Sequence, residues 1–238
     1  MKLFVSPQVI DTMSMKNLDI GFGDRVVINN MCCDLPTGKV VHVKGRRGVG
    51  KSAFLRVLAG IEVPTQGEYY INSKNTLAMS FEEFLEYRIL IGYSFDYGGL
   101  IHNMTIKDNL ILPLRYHNAV EGWLIEERVE YYLRLFDLWD VRDERPSFVS
   151  GSMRKEACVA RAFIMEPEMV ILDCPTVGMH KHNIQVLIDL VKEKQISGNL
   201  KHVFVASDDD EFISSFATAS IDLDDHLDQS IVIEQEAA

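Results

Sequence analysis

The sequence predicts an α/β fold with a mixed, mainly parallel sheet, antiparallel edge strands and an inserted helical subdomain. Along the 238 residues, short runs of β-branched side chains alternate with helical patterns. Near-continuous apolar strands separated by helices indicate a sheet that is covered on both faces, and such sheets are parallel or mixed. Between Asp96 and Pro167 no convincing strand occurs. We therefore expect that stretch to be an all-helical insertion in the α/β core.

The elements are predicted in chain order from local patterns. Thr105 followed by Asp108 predicts a capped helix start, and residues 121–138 carry apolar side chains at helical spacing. Antiparallel edge strands are predicted at both ends of the chain, at 16–22 with 25–31 and at 220–225 with 230–234. Core strands are predicted at 39–45, 68–72, 89–95, 169–173 and 202–207, with a helix from Lys51. We expect one domain over 1–238, with a core of 1–95 and 168–238 and a helical subdomain at 96–167.

The composition argues against several classes of protein. A formal net charge of −11 disfavours a nucleic-acid partner, because binding to phosphate backbones needs clustered Lys and Arg. The four cysteines have neither metal-ligand nor disulfide-framework spacing, which indicates reduced thiols in the cytoplasm. No secretory signal begins the sequence, and no uncharged apolar run approaches the ~18 residues of a membrane helix. We expect a soluble chain that reaches a membrane only through a partner.

A phosphate-binding motif lies between a predicted strand and a predicted helix. Residues 45–52 read G-R-R-G-V-G-K-S, which fits the P-loop pattern G-x-x-x-x-G-K-[ST] in the required context. Its glycines let backbone N–H groups point at phosphate oxygens, and the helix adds the positive end of its dipole. Lys51 would reach the β- and γ-phosphates, while Ser52 and Asp173 would serve Mg²⁺. The expected nucleotide-binding residues here are Gly45, Arg46, Arg47, Gly48, Val49, Gly50, Lys51, Ser52 and Ala53.

The order of motifs resembles the ATP-binding cassette (ABC) family from about Asn17 to the last strands. The run F-L-R-V-L-A-G-I-E-V-P-T-Q-G-E follows the P-loop, V-S-G-S-M-R-K-E-A-C-V-A-R-A (149–162) is similar to the family's signature segment, and V-I-L-D-C-P-T (170–176) follows at the family's spacing. The resemblance implies a P-loop NTPase core with a helical lobe, and ATP with Mg²⁺ as ligands. It also implies two cassettes that meet head to tail and hold ATP between one P-loop and the other signature helix.

The resemblance assigns further residues to the nucleotide. Ser150 and Gly151 open the signature helix, where N–H groups and a hydroxyl would meet a γ-phosphate from another chain. An ordinary Ser-Gly N-cap is the alternative. Phe22 matches the position at which the family stacks an aromatic ring on adenine, but a phenylalanine in an edge strand is also typical of plain core.

Several positions depart from the family's catalytic pattern. Cys174 stands where the family carries the glutamate that polarises the attacking water, Asp96 replaces its glutamine, and Ser207 replaces its histidine. A thiol with a reference pKa of about 8.5 is a poor base for water at neutral pH, so we interpret Cys174 as lost catalysis. A metal site formed by Cys174, His180 and His182 is the alternative. The remaining departures are His180 for an aspartate, Ser152 and Met153 for a glycine and a glutamine of the signature, and Ala53 for a hydroxyl residue.

These motifs predict a nucleotide-binding subunit of a membrane ABC transporter that binds Mg-ATP and hydrolyses it slowly or not at all. Its expected partners are membrane-spanning permease subunits and a second cassette, and its expected place is the cytoplasmic face of the cell membrane. A pseudo-ATPase scaffold, in which ATP fastens a dimer, is the alternative function. Residues 104–117 are most similar to the branch that serves lipid-trafficking and cell-division complexes. A single P-loop disfavours a two-cassette translation factor, and the absence of a long heptad run disfavours a chromosome-type ATPase.

Overall fold

The computed structural model describes residues 8–22, 25–118 and 120–226, which fall into two compact units. The first unit contains the described residues up to Ile89 and from Ala217 onward, and the second runs from Leu90 to Phe216. The chain therefore leaves the first unit once and returns to it near the carboxyl end. The predicted domain division, with its helical subdomain at 96–167, is not tested by these units and stays a prediction.

Strands and helices alternate along the described residues, as the sequence pattern predicts. In chain order they are β1 (Met13–Phe22), β2 (Arg25–Asp34), β3 (Val40–Lys44), α1 (Lys51–Leu58), β4 (Gln66–Ile71), β5 (Lys74–Asn75), α2 (Phe81–Arg88), β6 (Ile91–Ser94), α3 (Ile106–Tyr116), α4 (Gly122–Leu135), α5 (Gly151–Phe163), β7 (Met169–Asp173), α6 (Lys181–Ile196), β8 (His202–Ala206), α7 (Asp210–Phe216) and β9 (Ala219–Asp222). The five predicted core strands correspond to β3, β4, β6, β7 and β8.

The first unit contains an antiparallel sheet with the strand order β2-β1-β4-β5. In the pairing of β1 with β2, Leu18 lies opposite Met31 and Ile20 lies opposite Ile28, and all four side chains are buried. Alternate side chains of a strand point to the same face, so this register places the apolar residues of both strands in one core. The antiparallel pair predicted at the amino end is confirmed.

At the carboxyl end, the predicted antiparallel pairing of 220–225 with 230–234 stays a prediction, and the structure shows β9 paired with a different strand. β9 pairs with β3 in parallel, with Val41 opposite Ala219 and Val43 opposite Ile221. A tight hairpin produces an antiparallel pair, whereas a parallel pair needs a longer crossover connection. Between β3 and β9 in sequence lies the whole second unit, which supplies such a connection. The partner strand predicted at 230–234 lies outside the described residues.

The second unit is built on three parallel strands in the order β6-β7-β8. Every residue of these three strands is buried. A parallel strand that is covered on both faces needs apolar side chains in succession, which explains runs such as Val170 to Leu172 and Val203 to Val205. The predicted mixture of parallel and antiparallel strands is confirmed. β4, one of the predicted core strands, belongs to the antiparallel sheet, where it pairs with β1.

The described residues between Asp96 and Pro167 form the helices α3, α4 and α5 with short 3-10 turns and no strand. Thr105 is the N-cap of α3, and its hydroxyl accepts a hydrogen bond from the backbone N of Asp108 at 3.0 Å. The capped helix start is therefore confirmed. Across the described part of the chain, no helix combines the length and the hydropathy needed to cross a membrane.

Candidate nucleotide-binding site

The loop between β3 and α1 requires glycine at both ends. Gly45 has a φ of 144°, and a Cβ there would lie 2.6 Å from Cγ1 of the buried Val49. Gly50 is the N-cap of α1 with a φ of 107°, and a Cβ there would lie 3.0 Å from Cγ2 of Val27. L side chains rarely adopt such conformations, so other residues would be strained at either position. The local backbone conformation and packing thus explain why the motif has glycine at these two positions.

Lys51 and Ser52 are the first residues of α1, where the motif predicts contact with phosphate and Mg²⁺. The Nζ of Lys51 donates to the carbonyl oxygen of Gly45 at 2.8 Å, so the side chain folds back over the loop that precedes it. The N-cap Gly50 gives the helix amides no side-chain hydrogen bond. The loop therefore combines an ammonium with the positive end of a helix dipole, a combination that suits a bound polyphosphate.

The remaining residues of the predicted loop differ in the exposure of their side chains. Arg46 and Arg47 are exposed, whereas the side chains of Val49 and Ala53 are buried in the first unit, so only the backbone of the latter two is suited to binding a ligand. The backbone N of Arg46 donates to the carboxylate of Asp224 at 3.0 Å, which ties the loop to the segment after β9.

Phe22, the predicted adenine-stacking residue, is the last residue of β1. Its side chain is outside the described part of the structure, and the following turn at 23–24 is outside it as well. The adenine contact therefore stays a prediction.

Three of the altered positions lie at one edge of the parallel strands of the second unit. Asp96 comes shortly after β6, Cys174 directly follows β7 and Ser207 directly follows β8. Because the strands are parallel neighbours, their carboxyl ends meet at the same edge. The backbone N of Cys174 donates to the carbonyl oxygen of Ala206 at 2.9 Å, and the hydroxyls of Thr176 and Ser207 are 3.3 Å apart. The structure thus brings these predicted positions together.

Cys174 has a thiol that is poorly suited to act as a base. Its backbone is left-handed, with a φ of 46°, and its side chain is half-buried. Burial, followed by the nearby carboxylates of Asp173 and Asp96, raises the pKa of the thiol to about 11. A thiol with this pKa stays protonated at neutral pH and cannot accept a proton from water. The interpretation of Cys174 as lost catalysis stays a prediction.

The two carboxylates at this edge are held differently. Asp173 is 2% exposed, and its Oδ2 accepts a long hydrogen bond of 3.4 Å from the hydroxyl of Tyr93. Asp96 is exposed. Ser207 is buried, and its hydroxyl accepts from the backbone N of Asp209 at 3.2 Å. Packing therefore fixes Asp173 and Ser207 more firmly than Asp96.

The predicted signature segment forms the start of α5. Ser150 is the N-cap, and its hydroxyl accepts from the backbone N of Met153 at 3.2 Å. The hydroxyls of Ser150 and Ser152 lie 2.8 Å apart and share a hydrogen bond. Gly151 is exposed, and a Cβ there would meet only Nη2 of Arg154 at 3.7 Å. The Ser-Gly N-cap is thus present, and the contact of Ser150 and Gly151 with a γ-phosphate stays a prediction.

Sequence reasoning missed Lys155, which is 4% exposed on α5. Its Nζ donates to the backbone carbonyls of Phe95, Asp96 and Asp173, at 2.9, 3.1 and 2.9 Å. A signal was available in the helical pattern. Lys155 precedes the apolar residues Cys158 and Val159 by three and four positions, and this spacing places all three on one face of the helix.

Sequence reasoning also missed the neighbouring Glu156, which is 1% exposed. Its Oε1 accepts from Nδ1 of His180 at 2.9 Å and from the backbone N of His180 at 3.3 Å. His180 is one of the departures from the family pattern, and the resemblance implies an aspartate there. The structure gives a reason for the histidine, because an aspartate would face a buried carboxylate without a proton to donate.

The alternative metal site is not formed by these residues. Nδ1 of His180 is hydrogen-bonded to Glu156, and His182 is exposed as the second residue of α6. Among the described residues, no group of three or more His, Cys, Asp and Glu side chains is arranged to hold a metal ion.

We expect the single substitution His180→Asp to destabilise the protein. Removing the hydrogen-bond partner of a buried polar group costs about 1–3 kcal/mol, and we expect about 2 kcal/mol here because the carboxylate of Glu156 is 1% exposed. An aspartate is a better N-cap for α6 than histidine, which returns about 1 kcal/mol. The net loss of about 1 kcal/mol should lower Tm by about 2–4 °C in thermal unfolding.

Two further variants control this prediction. Combining His180→Asp with Glu156→Gln should restore much of the loss, because the amide can donate to the new carboxylate. His182→Asp introduces the same side chain in the first turn of α6, away from Glu156, and should leave Tm nearly unchanged. A Tm for His180→Asp at or above that of the wild type would contradict the proposed pairing.

Comparison with known proteins gives consistent matches. A model of the ABC transporter family matches residues 28–177. The intermembrane phospholipid transport system ATP-binding protein MlaF of Haemophilus influenzae is 30% identical over 202 residues, which cover 85% of this chain and 76% of that protein. MlaF of Escherichia coli K12 is 30% identical over 206 residues, or 87% of this chain and 77% of that protein. A probable ribonucleotide transport ATP-binding protein of Mycobacterium leprae is 32% identical over 181 residues, which cover 76% of this chain and 52% of that protein.

Solved structures show the same fold. A dimeric ATP-binding cassette in a post-hydrolysis state with ADP and Pi has a TM-score of 0.79 at 24% identity, with coverage of 88% of this chain and 93% of that chain. The ATP-binding subunit of an ABC transporter has a TM-score of 0.77 at 21% identity, with coverage of 89% and 85%. At these identities the likeness concerns the fold.

Proposed function

This chain belongs to the ABC transporter family, and we propose that it is an ATP-binding subunit that binds Mg-ATP and closes a cassette dimer with little or no hydrolysis. The observation that carries the proposal is a contrast between two regions. The loop from Gly45 to Gly50 has the backbone and the lysine that suit phosphate, whereas the position of the catalytic glutamate holds the protonated thiol of Cys174.

The residues of this chain fit Mg-ATP. Mg²⁺ prefers oxygen ligands, and the hydroxyl of Ser52 and the buried carboxylate of Asp173 are ligands of that kind. Lys51 would carry the main side-chain charge for the β- and γ-phosphates. Ser150 and Gly151 would meet the γ-phosphate of a nucleotide held by a partner cassette, because the start of α5 offers backbone N–H groups and a hydroxyl.

The proposed partners are membrane-spanning permease subunits and a second cassette, either a copy of this chain or a related one. The permease would hold the subunit at the cytoplasmic face of the membrane. The MlaF relatives are named for intermembrane phospholipid transport, which favours a lipid cargo for the complex. The related mycobacterial protein is named for ribonucleotide transport.

A pseudo-ATPase scaffold is the second candidate function. It is favoured by Ser207 and Asp96, because neither side chain can replace the histidine or glutamine of an active site. In this role bound ATP would stabilise a dimer without repeated cycles of hydrolysis. Purification of the chain with a permease from its own membrane would favour the transporter subunit, and purification without one would favour the scaffold.

We expect Gly151→Asp to prevent ATP-dependent dimerisation. The new carboxylate would repel the γ-phosphate of the partner's nucleotide. It should not unfold α5, because a Cβ at this position has room and an acidic residue suits the first turn of a helix. Light scattering with and without Mg-ATP measures the change in mass.

The matched control is Gly151→Asn, which has nearly the same size without the charge. Asparagine should retain at least part of the dimer that aspartate loses. The same mass for wild type and Gly151→Asp in the presence of ATP, alone and with any partner cassette, would contradict closure through the start of α5.

A further inference from the structure

One buried side chain of α5 contacts both the loop that carries Asp96 and the end of β7, where Asp173 lies. Nζ of Lys155 donates to the backbone carbonyls of Phe95, Asp96 and Asp173, all at 2.9 to 3.1 Å. An ammonium group has three N–H donors and no acceptor, so these three carbonyls satisfy it fully. Lys155 therefore links the end of β6, the end of β7 and the helix that begins with the signature segment.

The protonated form of Lys155 is required by these contacts. Burial lowers the pKa of the ammonium from its ordinary value, and the surrounding Asp96 and Asp173 carboxylates oppose that shift. A neutral amine has only two N–H donors, so deprotonation would leave one of the three carbonyls without its hydrogen bond. The three contacts thus suit the ammonium form of Lys155.

A second cation of α5 holds the same loop further along. Nη2 of Arg161 donates to the carbonyl oxygen of Gly99 at 2.8 Å. The loop that follows β6 is therefore attached to α5 at two points, and Lys155 extends the attachment to Asp173. Both side chains donate to backbone oxygens of this region and not to the carboxylates of Asp96 and Asp173.

We propose that Lys155 is a positioning residue, which fixes the distance between Asp96 and Asp173 and thereby sets the affinity of the nucleotide site for Mg²⁺. The inference rests on the proposed function, in which Asp173 serves the metal ion. Residues that orient metal ligands by contacts behind them change metal affinity by about 10–100-fold when they are replaced. Lys155 makes this kind of contact with the backbone of the proposed ligand itself.

Charge and position predict opposite effects of losing Lys155. Removing a cation from beside two carboxylates would strengthen their attraction for Mg²⁺. Releasing three carbonyls from their shared donor would let the loop at Asp96 move relative to the end of β7 and would weaken the site. We expect position to dominate, because the ammonium directly contacts the backbone of both aspartates, so their spacing depends on it.

The test measures the Mg²⁺-dependent gain in nucleotide affinity. A fluorescent ATP analogue is titrated into the full chain with EDTA and then with Mg²⁺, and the ratio of the two dissociation constants is the gain. Lys155→Met should lower this gain about tenfold or more, while the affinity in EDTA stays near the wild-type value because the loop at 45–52 is unchanged. Lys155→Arg should lower it as well, because a planar guanidinium cannot direct three donors from one nitrogen.

The matched control is Lys194→Met. Lys194 is a largely buried lysine of the same unit, bonded to Glu166 at 2.6 Å and without contact to either aspartate loop. The Lys194→Met variant should be less stable than the wild type, but its Mg²⁺-dependent gain in nucleotide affinity should be unchanged. A wild-type or increased gain in Lys155→Met overturns the inference. A wild-type gain in Lys155→Arg overturns it as well. If Lys155→Met does not fold, the result for Lys155→Arg decides the test. A wild-type chain that binds no nucleotide overturns the proposed function instead.

Discussion

Lys51→Ala should lower the affinity for Mg-ATP by about 10–100-fold. The side chain is the main charge aimed at the β- and γ-phosphates in the proposed site, and a hydrogen bond to a charged group contributes about 1.5–3 kcal/mol. In the structure the ammonium already lies over the loop, 2.8 Å from the carbonyl oxygen of Gly45. Calorimetry with ATP measures the loss.

Lys44→Ala is the matched control for this prediction. Lys44 is exposed at the end of β3, next to Gly45, and it carries the same charge. Its removal should change the affinity little, because exposed charges at a distance are screened. Equal ATP affinity in the wild type and in Lys51→Ala would contradict the assignment of residues 45–52 as the phosphate-binding loop.

Local patterns predicted the parts of the fold that depend on local interactions. The apolar runs of β3, β7 and β8 appear in sequence as buried strands because both of their faces are covered. The helix from Lys51 and the cap at Thr105 follow from residue types that act within one turn. The order of the motifs then indicated the family, which the family model and the MlaF relatives confirm.

Contacts between distant residues could not be predicted in the same way. The parallel direction of β9 depends on the path of the chain through the whole second unit, and no residue of β9 encodes it. Lys155 bonds to residues up to 60 positions away, and Glu156 bonds to His180 across 24 positions. A charged pair such as Lys155-Glu156 is typical of an exposed helix face. The spacing of Lys155 to Cys158 and Val159 was its one local sign of burial, and the packing of α5 shows that both charged side chains are buried.

Cys174→Ala should leave both ATP binding and the low hydrolysis nearly unchanged. With a pKa of about 11 the thiol is protonated at neutral pH, so no base is lost with it. Cys174→Glu alone should also recover little. The new carboxylate would stand beside Asp173 and Asp96, whose charges already disfavour an anion at this position, and like charges raise the pKa of a carboxyl group.

Restoring three positions together should have the largest effect on turnover. Cys174→Glu supplies the base, Asp96→Gln removes one of the repelling charges, and Ser207→His supplies the missing ring at the end of β8. The backbone at Asp96 should stay in place, because Lys155 holds its carbonyl and not its carboxylate. Members of a catalytic unit act together, so we expect the triple variant to exceed every single one.

The expected rise for the triple variant over the wild type is about 10²-fold or more, since one positioned acid or base contributes about 10²–10⁴-fold. Phosphate release in single-turnover assays measures it, and adding Lys51→Ala should remove the gain if it arises at the predicted site.

Of the three substitutions, Ser207→His is the most difficult to accommodate. Ser207 is 5% exposed, and its hydroxyl accepts a hydrogen bond from the backbone N of Asp209. A Cys174→Glu, Asp96→Gln pair therefore tests the electrostatic part alone, and it should already exceed Cys174→Glu. A large loss of hydrolysis in Cys174→Ala would show instead that the thiol takes part in catalysis.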